Sequence, residues 1–247
     1  LVLVKAPPIK HPWITDEERE YILSGQKAVT TETGEVELAE YVPTYGEMLR
    51  RKESWGVIIA TAAIDPIWWL FIVWIPTYLV EVYSMDVKGL AIIGWVPYVG
   101  AMFGAWFGGL LSQNRIKAGW SVNKTRKAVI VLGCLIMLPS LLLLSNPGSA
   151  NTAVLIMAAI LFGFQTSIGS IQTLPSDMLG KGSVGSLSGF AGMAAKFSAA
   201  GLTAMVPFLT AGANYQNVFI LGAVLASIVM VSILFLCPKI EPLKSNK

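Results

Sequence analysis

From residue 55 onward the chain alternates long apolar runs with short polar breaks. Six runs fall near 55–81, 90–112, 127–145, 151–176, 184–210 and 216–236. Each is about the 20 residues that a helix needs to cross a bilayer. Asn146-Pro147-Gly148 between the third and fourth runs, and Gly212-Ala213-Asn214 between the fifth and sixth, supply turn residues. The pattern predicts an all-α membrane fold of six transmembrane helices.

Residues 6–53 read differently: they are polar and acidic, and two short helices are legible from their N-terminal signals. Thr15-Asp16-Glu17-Glu18 has the spacing of a capping box, with Thr15 as N-cap and Glu18 reaching back. Thr44-Tyr45-Gly46-Glu47 repeats it just before Arg50-Arg51-Lys52. The Thr- and Glu-rich stretch at 28–40 reads as a flexible loop. The opening Leu1-Val2-Leu3-Val4 has no Met, basic n-region or cleavage site, and reads as the last turn of an earlier apolar helix rather than as a signal peptide. The expected organisation is 1–53 as the end of that helix plus a cytoplasmic interdomain loop, 54–238 as the bundle, and 239–247 as a cytoplasmic tail.

Composition turns this pattern into a statement about solvent. Only 13% of the 247 residues are charged and 54% are hydrophobic, whereas a soluble domain carries roughly 25% charged residues. So little charge cannot cover a water-facing surface, and lipid must be the main solvent. The placement of Lys and Arg adds sidedness. Arg50, Arg51, Lys52, Arg115, Lys117, Lys124, Arg126, Lys127, Lys181, Lys239, Lys244 and Lys247 all fall at one end of the expected bundle, and Lys88 alone at the other. By the positive-inside rule the rich end is cytoplasmic, as are both ends of the chain. The net charge of +3 gives no footprint for nucleic acid. Cys134 and Cys237 are far apart, and the single His11 lies in the polar region. Nothing in that arrangement has metal-ligand or acyl-transfer spacing, so neither a metal site nor an enzyme is expected.

A few residues inside the apolar runs need a reason. In the first run Asp65 precedes Pro66, Trp68 and Trp69. A carboxylate at mid-span costs about 3 kcal/mol unless it meets water or a partner. Pro66 removes a backbone donor at the same point, so the helix should break or bend there. Asp65 then either caps the resumed half-helix or stands on a substrate or proton path. Trp68 and Trp69 lie too deep for an interfacial belt, and at least one should line a cavity. Gly100, Gly104 and Gly108 recur every four residues in the second run, which suits close helix packing. In the fourth, Gln165, Gly169, Gln172 and Thr173 either bond across helices or face a cavity. In the fifth, Gly185, Gly189, Gly192 and Lys196 share one helical face. Lys196 is too deep to snorkel comfortably, so it either pairs with an acid such as Asp65 or faces water and meets an anion.

Three stretches resemble a known family. Asp65-Pro66-x-Trp68-Trp69-x-Phe71-x-x-Trp74-x-Pro76-x-Tyr78-Leu79 is similar to the seventh-helix pattern of the anion:cation symporter group of the major facilitator superfamily, which includes hexuronate and aldonate transporters. Gly108-Gly109 through Ser112, Arg115, Gly119 and Arg126-Lys127 resembles the superfamily's loop motif between helices eight and nine. Leu174-Pro175-Ser176-Asp177-Met178 with Ser183 to Ser186 looks like the junction of helices ten and eleven, and the Lys10-His11-Pro12 region fits the stretch after helix six. Two positions depart from the pattern: Gln113 stands where the loop motif has Asp, and Lys196 is not called for by the sugar-acid members.

The resemblance implies the C-terminal six-helix half of a secondary transporter in the plasma (inner) membrane, importing an organic anion by proton-coupled alternating access. It needs no cofactor beyond the coupling proton. Its partners would be a hexuronate- or aldonate-type sugar acid, the N-terminal six-helix half and the bilayer. In such a fold the first, second, fourth and fifth spans here line the cavity, and the third and sixth face lipid. Lys196 would then meet the carboxylate, Gln165 and Gln172 the hydroxyls, and Trp68 or Trp69 the sugar face, with Asp65 nearby. Arg115, Arg126 and Lys127 would form the gating loop. The family's coupling carboxylates lie in the N-terminal half, which leaves Asp65 as the one deep acid here. The alternatives are a stand-alone six-span subunit or channel, or a carrier of aromatic carboxylates or phosphate.

Overall fold

A computed structural model describes residues 14–24, 29–30, 36–37, 43–179, 181–210 and 214–240. The expectations placed on residues 1–4, on the Lys10 region, on Gly212-Ala213 and on the tail beyond 240 lie outside the described residues. The chain divides into two units, Leu1–Tyr41 and Val42–Lys247.

In the first unit, helix α1 (Asp16–Ser24) is capped as the spacing predicts. The Glu18 N–H donates to Thr15 Oγ1 at 3.3 Å and the Thr15 N–H to Glu18 Oε2 at 3.1 Å. Arg19 pairs with Asp16 one turn on. The stretch expected to be a loop contains a short antiparallel ladder, β1 (Val29–Thr30) with β2 (Val36–Glu37). Val29, Thr30 and Val36 are β-branched, which favours extended backbone over the flexibility that composition suggested.

The second unit is helical. It comprises α2 (Tyr45–Arg50), α3 (Lys52–Tyr83), α4 (Val87–Ile93), α5 (Val96–Lys117), α6 (Val122–Leu143), α7 (Ala150–Met178), α8 (Lys181–Leu209) and α9 (Gln216–Val231), which a π-helical turn at Ser232–Leu236 prolongs. Among the described residues, with α4 and α5 counted as one, six helices are long and apolar enough to span a membrane, each over one expected run. The second span is interrupted at Gly94–Trp95 because Pro97 has no N–H to offer the preceding turn. Conversely, α3 runs unbroken through Pro66 and Pro76. Of the expected break or bend at Pro66, the break is absent, and Asp65 caps no resumed half-helix. Pro66 is buried, where neighbouring helices help a helix tolerate the lost hydrogen bond.

Small residues set how these helices meet. α5 lies along α7 with the expected glycine strip at the seam. A Cβ added at Gly100, Gly104 or Gly108 would run into the carbonyl oxygen of Ala158, Phe162 or Thr166 respectively, at 2.7 Å in the last case. Thr166 Oγ1 donates to the Gly104 carbonyl at 3.2 Å across the same seam. α6 meets α7 where Gly133 faces Gly163, and Ser167 donates to the Ile130 carbonyl at 3.0 Å. Apolar area drives no association between helices in lipid, so close backbone approach and interhelical hydrogen bonds supply the cohesion. α3 packs against α7, α8 and α9 and buries Ile64, Ile67 and Phe71 among them.

Candidate functional site

The two deep charges of the bundle meet. Lys196 Nζ donates to Asp65 Oδ2 at 2.7 Å, joining α8 to α3. Asp65 and Trp69 lie one turn apart on α3, and the Trp69 indole N–H donates to the same oxygen at 3.1 Å. The ammonium also sits 5.3 Å from the Trp69 ring centroid, within cation–π range. Of the two readings for Lys196, the structure shows the pair with Asp65.

The pair is lopsided. The Asp65 side chain is 17% exposed and that of Lys196 62% exposed, although Lys196 is equidistant from Ser183 and Leu209, the ends of its 27-residue span. A cation at that depth cannot lie against hydrocarbon; its face must meet protein or water. The glycines that share this face are open too, since a Cβ at Gly185, Gly189 or Gly192 would meet nothing within 4 Å. Only 17% of the apolar stretch of α4–α5 and 22% of that of α8 are buried, against 56% for α3 and α7. The least covered helices therefore include the one that bears the most polar mid-span residue.

Gln165 and Gln172 fall elsewhere. They line a groove of about 540 Å³ between α5 and α7, with Gln113, Ser112, Thr173 and Arg126 toward one end. Lys196, Asp65 and Trp69 are not among the residues that line it. Trp68 joins neither group: it stacks on Phe164 at 5.3 Å and meets Tyr98 edge-on at 6.5 Å, between α3, α7 and α5. Trp69, 38% exposed, is thus the tryptophan beside Lys196.

The loop residues divide in the same way. Arg126 Nε donates to Asp177 Oδ2 at 2.8 Å and its Nη1 to Ser112 Oγ at 3.1 Å, drawing together the start of α6 and the ends of α7 and α5. Lys127 Nζ donates to the Pro238 carbonyl at 2.7 Å, beyond the last helix. Arg115 and Lys124 both lie over the Trp120 ring, at 4.8 and 4.3 Å. Asp177 and Ser112 fall in the family-like stretches but were not singled out as site residues; their places in those stretches were the available signal. At the opposite end, the Tyr215 hydroxyl donates to Glu81 Oε2 at 2.6 Å. Burial, and then that bond to Glu81, hold the Tyr215 phenol above its ordinary range, so it stays a donor.

Comparison with known proteins narrows what such an arrangement belongs to. A family model described as Major Facilitator Superfamily matches residues 1–204. The hexuronate transporter of Escherichia coli (strain K12) is 30% identical over 243 residues, 94% of this chain and 54% of that transporter. The galacturonate transporter of Dickeya chrysanthemi is 32% identical over 136 residues, 52% of this chain and 37% of the relative. A probable anion transporter 4, chloroplastic, of Arabidopsis thaliana is 30% identical over 135 residues, 54% and 25% of the two chains. The chain spans about half the length of the first of these relatives.

Proposed function

The chain belongs to the major facilitator superfamily, and on that premise we propose that it forms the C-terminal six-helix half of a secondary transporter for a sugar-acid anion. The observation that carries this reading is the Asp65–Lys196 pair, with its cationic end open on an uncovered face at mid-span. An anion entering from that face can take the ammonium from Asp65, and Trp69 offers a ring edge or face beside the same position. The relatives named for hexuronate and galacturonate support a ligand with one carboxylate and several hydroxyls. Gln165 and Gln172 have the donors and acceptors for such hydroxyls, in the groove between α5 and α7 whose lining is separate from the Lys196 pair.

The remaining expectations follow from the same premise. The open faces of α5 and α8 are where a second six-helix bundle would sit. Alternating access would then rock the two halves about a site near the bilayer midplane. The Arg126–Asp177–Ser112 clasp would hold the basic, cytoplasmic end closed in one of the two states. We place the protein in the plasma (inner) membrane with both ends of this segment on the cytoplasmic side, moving the anion inward with a proton.

The test is uptake of radiolabelled galacturonate by cells expressing the complete transporter. Lys196→Ala is expected to abolish uptake while the protein still reaches the membrane, and Lys196→Arg to keep a measurable part of it. Normal uptake by Lys196→Ala would remove Lys196 from the site.

A further inference from the structure

We propose that Asp65 is a proton-carrying group of the transport cycle: the anion's carboxylate takes Lys196, and Asp65, left without its counter-ion, binds one proton. This rests on the reading of Lys196 given above. As found, Lys196 and Asp65 together are neutral. A substrate carboxylate at Lys196 brings the group to one net negative charge in the middle of the span. Asp65 then retains one neutral donor, the Trp69 N–H at 3.1 Å, its side chain is only 17% exposed, and Thr61 one turn before it gives its hydroxyl to the Val57 carbonyl. An ionised carboxylate in such surroundings is strongly disfavoured unless paired, and taking up a proton removes the charge.

The rest of the bundle offers Asp65 no substitute among the described residues. α8 contributes Lys196 itself. α7, packed on α3, carries one charged residue, Asp177, which is held by Arg126 at its far end. α9 carries none, and α2 bears Glu47 and Arg50 near the start of α3, more than three turns away. Tyr98 of α5 stands against Trp68 rather than Asp65. On α3 the other ionisable groups, Lys52, Glu53, Tyr78, Glu81 and Tyr83, all lie three turns or more from Asp65.

The step changes few bonds. A proton from water on the side of anion entry adds to one carboxylate oxygen of Asp65, and no covalent bond of the substrate is altered. When the anion leaves on the other side, Lys196 returns to Asp65 and the proton departs. One proton thus accompanies each carboxylate, and the loaded site carries the same net charge as the empty one. This places a coupling group in this half, beside any that the N-terminal half supplies.

Galacturonate binding to the purified complete protein, measured together with proton uptake in weakly buffered solution, tests the proposal. The wild type is expected to take up a proton as it binds and to bind less tightly as pH rises. Asp65→Asn releases Lys196 from its competitor, so binding is expected to tighten, lose its pH dependence and proceed without proton uptake. Proton uptake by Asp65→Asn equal to the wild type overturns the proposal and leaves the Lys196 reading standing. Unimpaired binding by Lys196→Gln instead overturns the Lys196 reading itself. Should Asp65→Asn fail to insert, infrared difference spectra of the wild type decide. A protonated-carboxyl band induced by galacturonate, and displaced in Asp65→Glu, supports the proposal, and the lack of any such band overturns it.

Discussion

Arg126 and Asp177, 51 positions apart in sequence, share a 2.8 Å hydrogen bond that ties the start of α6 to the end of α7. Both side chains are largely covered, 17% and 20% exposed, and the guanidinium spends a second donor on Ser112. A charged hydrogen bond of this kind contributes about 1.5–3 kcal/mol. Asp177→Asn and Arg126→Gln are each expected to lower the thermal stability of the detergent-purified transporter by that order. The exchange Arg126→Asp with Asp177→Arg should recover part of the loss. Arg126→Lys should not, because one ammonium lacks the fork that reaches both Asp177 and Ser112. Equal stability of wild type and Asp177→Asn would show the pair to be idle.

Two glycines on α5, Gly104 and Gly109, separate packing from mere flexibility. A side chain at Gly104 would strike the Phe162 backbone, whereas one at Gly109 would meet nothing within 4 Å. Gly104→Ala is therefore expected to cost about 1–3 kcal/mol through overpacking, and Gly104→Leu to prevent the bundle from assembling. Gly109→Ala should be neutral or slightly stabilising, since Ala is the better helix former. Size-exclusion profiles and thermal unfolding of the three variants check the contrast.

The glycine strip was legible in sequence because a four-residue period on an apolar helix has one common use, and the seam with α7 confirms it. The six spans were legible for the same kind of reason: each rests on local composition. Pro66 was read less well: it lies inside a continuous helix, where packing against the surrounding helices leaves no local trace in the sequence. Within the segment at 28–40 the described residues Val29–Thr30 and Val36–Glu37 pair as a short ladder, which its composition did not suggest. For the site, an acid and a base at mid-depth in different spans invite each other, so the pair could be anticipated. Which tryptophan accompanies them depends on the rotation of α3, and that is fixed only by its neighbours. The separation of Gln165 and Gln172 from Lys196 is likewise a property of helix placement.

Cys237 gives a pH-dependent readout of the last helix and its neighbour. It is fully buried, and its thiol donates to the Glu53 carbonyl at 3.4 Å. Burial, and next the Glu53 charge, push the thiol up to about 11 against a partial opposing effect of Lys127. Maleimide labelling of the folded protein at neutral pH is expected to leave Cys237 unmodified, with labelling rising only as pH climbs toward 11 or after denaturation. The unfolded thiol ionises near the ordinary cysteine value of 9.0. Its contribution to stability is therefore intact below that pH and is lost as pH rises through the folded value. Rapid labelling at pH 7, read by mass spectrometry of the peptide, would contradict a closed contact between the π-helical turn and α3.

Trp68 and Trp69 are neighbours in sequence with opposite surroundings, and their variants should part company. Trp68 stacks on Phe164 inside the bundle, so Trp68→Ala leaves a hole between three helices and is expected to cost about 3 kcal/mol. Trp69 stands partly open beside Lys196 and holds Asp65 through its N–H. Trp69→Ala should leave thermal stability within about 1 kcal/mol, the worth of one hydrogen bond, and weaken galacturonate binding. Calorimetric titration and thermal unfolding on the same preparations distinguish the two effects. If Trp68→Ala weakened binding at unchanged stability while Trp69→Ala did the reverse, the ring that meets the ligand would lie in the interior stack. The open face of α8 would then have to recognise the anion through Lys196 alone.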